Sequence, residues 1–223
     1  MTADNALEIW QSRLRGHGLD EVRRLAAARP LKPRAWRFIF LRHGETEGNA
    51  RRVYQASDIP LNPTGQAQAR RAAEYLREHP IERILASDMR RAWETAQAAA
   101  KMVCAPVIPE PRLRERWFGD LIGTSSMDLD WRNEPPNGES LHEFVARTQA
   151  GIYDALDTEA STLLVAHGGS LYVLVFSLGA DLLEQHIANA TPLLFEYASD
   201  ADRWHISNIA PKHVTAGYRT TVD

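Results

Sequence analysis

The chain has a single cysteine, Cys104, among 223 residues. That excludes an internal disulfide framework and suits a reducing compartment. No apolar run approaches the ~18 residues that a membrane-spanning helix needs. The stretch from Asp4 to Glu8 lacks the charged start and apolar core of a signal peptide. A cytoplasmic location and no membrane partner are therefore expected. An excess of one charge is missing too: 26 Lys and Arg stand against 29 Asp and Glu, for a net charge of -3. That balance gives no electrostatic case for nucleic acid, and none is expected as a partner. Internal repeats and low-complexity tracts are absent. What remains is an ordinary globular composition, 44% hydrophobic and 25% charged. The length fits one sizeable domain with room for an appendage. Cys104, close to an expected helix end, reads as a small buried apolar side chain.

Residues 1–34 read as a helical N-terminal extension and residues 35–223 as the main domain. In the extension Leu7, Trp10 and Leu14 share a helical face, and Gly16-His17-Gly18 interrupts it. Asp20 is placed to cap a second short helix running through Val22 and Leu25 to about Arg29, before Pro30. Whether this pair packs on its own domain or serves as an interaction arm stays open. From Ala35 onward strands and helices alternate. Strands are expected at 36–41, 83–86, 107–109 (an edge), 162–166, 193–198 and 204–209. Helices are expected at 64–78, 88–102, 140–156 and 170–178. This order predicts a three-layer α/β/α fold, its central sheet mostly parallel with one antiparallel edge strand late in the chain.

Two strands share an unusual ending. Phe38-Ile39-Phe40-Leu41 runs into Arg42-His43-Gly44, and Leu163-Leu164-Val165-Ala166 runs into His167-Gly168-Gly169-Ser170. In open α/β sheets ligands bind beyond the carboxyl ends of strands. Amides such as that of Gly168, at a helix N-terminus, favour an anion. A lone histidine reads as structural, whereas two in one context read as a site. Ser87-Asp88-Met89-Arg90-Arg91 stands at a third strand-to-helix junction, with Arg91 in the first helical turn and Arg90 better suited to solvent. Glu115 lies in a loop beside Trp117 and Phe118, which are placed to dry it so that it acts as an acid.

Together these motifs resemble the histidine phosphatase superfamily, in the phosphoglycerate mutase-like branch, over residues 36–213. The motifs stand in family order. Leu-Arg-His-Gly-Glu-Thr at 41–46 with Asn49 is followed by Asp58-Ile59-Pro60-Leu61 and Gly65, and then by Ser87-x-Met89-x-Arg91-Ala92-x-x-Thr95-Ala96. Next come Leu113-x-Glu115-x-x-Phe118-Gly119, Gly138-Glu139-Ser140 and Val165-Ala166-His167-Gly168.

The resemblance implies a phosphoglycerate mutase-like fold and a phosphohistidine intermediate on His43. Arg42 and Arg91 would grip the phosphate, with Asn49, His167 and Gly168 completing the pocket and Glu115 as proton donor and acceptor. It further implies a small phosphorylated metabolite as substrate, with no cofactor and no metal. True mutases of the branch are similar to one another in a long basic insertion between the acid/base glutamate and Gly-Glu-Ser. Here only Arg116–Asn137 fills that gap, with Asp120, Asp128, Asp130 and Glu134 against Arg116 and Arg132. Gln55-Ala56-Ser57 also departs from the mutase pattern. The departures favour a compact phosphatase. A mutase-type phosphoryl transferase and a weakly active phospholigand-binding module remain as alternatives. Arg51 and Arg52 read equally as substrate contacts or solvated loop charges. Oligomeric state is not legible.

Overall fold

The computed structural model describes residues 17–210. Six strands form one sheet: β1 (Arg37–Arg42), β2 (Arg83–Ala86), β3 (Val107–Pro109), β4 (Thr162–Ala166), β5 (Pro192–Ala198) and β6 (Arg203–Asn208), in the order β3-β2-β4-β1-β5-β6. Neighbours from β3 to β1 pair in parallel, and β5 is antiparallel to both β1 and β6. The mixed sheet therefore has a single strand running against the rest, next to the β6 edge.

Six helices accompany it among the described residues: α1 (Leu19–Ala27), α2 (Glu47–Ala50), α3 (Pro63–Leu76), α4 (Arg90–Val103), α5 (Leu141–Leu156) and α6 (Gly168–Ser177). Strand periodicity divides the core. Phe38 and Phe40 of β1 pack with Leu164 of β4 against α1, α5 and α6. Ile39 and Leu41 pack with Leu163 and Val165 against α3 and α4. Covering both faces is why these strands read as unbroken apolar runs rather than alternating ones. Each fully buried Phe or Leu contributes about 1.5–3 kcal/mol of transfer free energy.

The expected helices and strands are present with ends shifted by a few residues. Asp20 does not cap α1. The cap is Gly18, in the left-handed region at φ 72, and Asp20 lies inside the first turn. Gly18 is the position that can turn this way without a Cβ penalty. The helix face of Leu7, Trp10 and Leu14 lies outside the described residues. Through Leu19, Val22 and Ala26, α1 packs into the same core cluster as α5 and α6. Cys104 is exposed, not buried, because it is the left-handed C-cap that turns the chain out of α4. The α2 turn was not expected. Its capping box is made by Thr46 and Asn49, a pairing whose spacing matches the motif but whose residues are not the usual Ser/Thr with Glu.

Candidate active site

The parallel pairing of β1 with β4 and of β4 with β2 sets three strand ends side by side. His43 follows β1, His167 follows β4, and Ser87 follows β2. The His43 amide donates to Ala166 O at 2.9 Å and the Ser87 amide to Val165 O at 2.9 Å, extending the ladder past the strand ends. The two imidazoles consequently lie with ring centroids 5.1 Å apart, edge to face. Both are buried, at 3% and 0% exposure.

Hydrogen bonding assigns the tautomer of His43. Its Nδ1 is 2.7 Å from Gly44 O. A carbonyl only accepts, so Nδ1 carries the proton and Nε2 keeps the lone pair. Burial, then the charges of Arg91 and Arg42, hold the His43 pKa well below the ordinary histidine value. His167 is pushed the same way by burial, Arg91 and His43. The imidazole of His43 is thus neutral over the physiological range, the form that keeps a lone pair on Nε2. His167 Nε2 is 2.8 Å from Ser87 Oγ, which itself accepts from the Met89 amide at 3.3 Å. A Ser87 hydroxyl that donates to Nε2 leaves the His167 proton on Nδ1, and one that accepts leaves it on Nε2.

The arginines are fixed by backbone acceptors. Arg42 donates to Ile187 O, and Arg91 Nη1 to Ala56 O at 2.9 Å. Burial lowers the Arg91 pKa to about 10, so it stays cationic at neutral pH. Three nitrogens of this cluster, Arg42 Nε, Arg91 Nε and His167 Nδ1, are buried without a partner in the protein. Buried donors are rarely left unpaired, and a tetrahedral oxyanion would satisfy them.

Glu115 faces the N-terminus of α6. Its Oε2 accepts from the Gly169 amide at 3.0 Å and its Oε1 from the Arg116 amide at 3.0 Å. A Cβ on Gly169 would lie 2.2 Å from Glu115 Oε1, so this approach requires glycine. Arg42, His43, Asn49, Arg91 and Glu115 line one cavity of ≈ 200 Å³. Gly168 lies against Arg42, 3.7 Å from the guanidinium to the position of a Cβ.

The family model for the histidine phosphatase superfamily (branch 1) matches residues 38–209. The chain belongs to this superfamily. A glucosyl-3-phosphoglycerate phosphatase of Mycolicibacterium vanbaalenii is 35% identical over 170 residues, covering 65% of this chain and 75% of that protein. A Photorhabdus laumondii protein named "Probable phosphoglycerate mutase GpmB" is 36% identical over 152 residues, covering 60% and 71%. Among solved structures, a mycobacterial glucosyl-3-phosphoglycerate phosphatase in complex with VO3 superposes with a TM-score of 0.65 at 27% identity, covering 78% of this chain and 98% of that one.

In this histidine phosphatase the cluster holds every residue singled out at the strand ends, and it also separates neighbours that sequence left undivided. Arg90 turns outward to Glu94 at 2.8 Å while Arg91 turns in. Arg51 pairs with Glu47 at 2.6 Å on the surface, whereas Arg52 lines the cavity. Trp117 does not dry Glu115. It is 44% exposed and its indole N–H donates to Asn137 O at 3.1 Å. The buried aromatic wall is Phe118, Trp131 and Phe144 instead, since Trp131 and Phe144 both stand against Gly169.

One supporting residue, Asn189, carried no signal in the sequence, while Thr95 and Gly65 stood in the motifs without a stated task. Asn189 Nδ2 donates to His43 O at 2.9 Å from the turn before β5. Thr95 accepts from the Gly44 amide at 3.1 Å while donating to Arg91 O at 2.8 Å, which explains its place in the α4 motif. Gly65 explains another, because a Cβ there would meet Glu45 O at 2.0 Å. Among the described residues no helix is long and apolar enough to cross a membrane.

Proposed function

We propose that the protein hydrolyses phosphomonoesters of small metabolites through a phosphohistidine intermediate on His43. The observation that carries this reading is the neutral His43 Nε2 set among unpaired nitrogens of Arg42, Arg91 and His167, with the Glu115 carboxyl lining the same cavity as His43. His43 Nε2 attacks phosphorus, the bond to the ester oxygen breaks, and Glu115 gives its proton to the departing alcohol. Water then attacks phosphorus as Glu115 takes its proton, an O–P bond forms, and the N–P bond breaks with its electron pair returning to Nε2. Arg42, Arg91, Asn49, His167 Nδ1–H and the Gly168 amide stabilise the equatorial oxygens, a task that Mg²⁺ performs in many other phosphoryl-transfer enzymes.

Hydrolysis is favoured over mutase transfer by the fate of the two bases in 116–137. The Arg116 guanidinium donates to Glu139 O, Trp131 O and Asn133 O at 2.8–2.9 Å, and Arg132 is bound by Asp130. Neither is left to hold a substrate carboxylate. The names of the glucosyl-3-phosphoglycerate phosphatases make that ester a first compound to assay. We place the catalytic domain at 35–223, with 1–34 as its extension, in the cytoplasm.

The test is p-nitrophenyl phosphate hydrolysis with and without chelator, beside 3-phosphoglycerate isomerisation primed with 2,3-bisphosphoglycerate. Metal-independent release of phosphate with an alkali-stable, acid-labile phosphoenzyme is expected. Loss of activity in chelator with recovery on added metal, or isomerisation outpacing hydrolysis, overturns it.

A further inference from the structure

We propose that the pocket selects phosphomonoesters of uncharged alcohols bearing one flat apolar ring, which packs against Tyr54, Phe118 and Trp131; this rests on hydrolysis at His43 as proposed above. The lining of the ≈ 200 Å³ cavity is of two kinds. Arg42, His43, Asn49, Arg91 and Glu115 supply the polar part, and Val53, Tyr54, Phe118, Leu129 and Trp131 the apolar part, with Trp131 and Glu115 both against Gly169. An apolar cavity of about 150 Å³ accommodates benzene, so the space beside a phosphoryl group suits a single ring.

The aromatic part is preformed. Tyr54 and Phe118 have ring centroids 4.4 Å apart, Phe118 and Trp131 6.3 Å, and Trp131 is backed by Phe144 at 5.7 Å. Tyr54 is clamped by its own backbone: its amide donates to Thr124 O at 3.0 Å and its carbonyl accepts from Gly123 at 2.9 Å. The Ser126 amide donates to Arg52 O at 2.8 Å, closing the two loops into a short clasp around the Val53–Ser125 bridge. A wall fixed in this way loses little conformational freedom when a ring docks.

Charge argues the same way. Beyond the phosphate grip, the arginines near this part are engaged: Arg116 by three carbonyls, Arg114 by Asp88, Arg132 by Asp130, and Arg52 within the protein. Gln55, which also lines the cavity, is tied to the Thr46 hydroxyl at 2.6 Å. A second carboxylate or phosphate on the alcohol would lose water there without a dedicated partner.

Benzyl phosphate, ethyl phosphate and 3-phosphoglycerate test this, because all three release an alkoxide-type leaving group rather than an activated phenolate. Benzyl phosphate is expected to exceed each of the others in kcat/KM by about tenfold or more, mainly through KM. Tyr54→Ala should collapse the benzyl-to-ethyl ratio towards unity, and Tyr54→Phe should keep it. Equal or better turnover of 3-phosphoglycerate or ethyl phosphate by the wild-type protein overturns the selection, as does a ratio retained in Tyr54→Ala. If all three are cleaved equally, hydrolysis stands and only the selection falls. If none is cleaved and no phosphoenzyme forms, the hydrolase reading itself has failed.

Discussion

The strand-end cluster and the 116–137 segment both hold buried arginines, and they use them in opposite ways. Arg42 and Arg91 each keep Nε unpaired in the pocket, whereas Arg116, at 2% exposure, gives its guanidinium nitrogens to three backbone carbonyls. One region stores unmet donor capacity at a site, and the other consumes it to hold an irregular loop together. An arginine's identity therefore does not tell its task; the supply of protein acceptors around it does.

The comparison breaks most visibly at His43, the proposed nucleophile. His43→Ala should lower turnover by about 10⁴-fold or more and abolish the phosphoenzyme trapped by alkaline quench. Burst labelling that survives this change would remove His43 from its role. Glu115→Gln should slow alkyl phosphates by about 10²–10⁴-fold and p-nitrophenyl phosphate far less, since a good leaving group needs no proton. Equal losses on both substrates would argue against general acid catalysis.

The two kinds of arginine then separate by readout. Arg91→Ala should cost about 10²–10³-fold in kcat/KM. Arg116→Ala should appear in urea denaturation instead, as a loss of about 3 kcal/mol from stranded carbonyls. A catalytic defect in Arg116→Ala larger than that of Arg91→Ala would reverse the assignment of the two regions.

The smallest effect is on pH. His43 and His167 are held well below the ordinary histidine value by burial and the nearby arginines, and burial alone brings His186 to about 4. Below about pH 6.5 the unfolded chain takes up protons that the native state refuses, so stability falls as pH falls through that value. Tm should decline from pH 7 to pH 5, and a flat profile would contradict the buried neutral histidines.

Much of this architecture was legible in the chain. Strands buried on both faces read as apolar runs, and abrupt polar endings marked His43 and His167. The aromatic assignment was not legible: Trp117 is adjacent in sequence to the Glu115 loop yet points to solvent, while Trp131 reaches the site from a distant turn. Asn189 gave no warning either, since it acts from a turn at the far end of the chain. Nor did Cys104 reveal that it caps α4 in a left-handed turn.

By itself the sequence determined the layered fold, the strand-end position of the two histidines and the chemistry open to an Arg-His-Gly rim. Those features depend on local periodicity and residue type, which are written in order along the chain. Only the tertiary structure decided which arginines keep an unpaired Nε, which nitrogen of His43 keeps its lone pair and which rings wall the pocket. Arginine pairing and the ring wall depend on partners and burial supplied by segments far apart in sequence, as when Ile187 and Ala56 reach Arg42 and Arg91 at one sheet rim; the His43 tautomer depends on how the folded rim orients its ring toward the neighbouring Gly44 carbonyl.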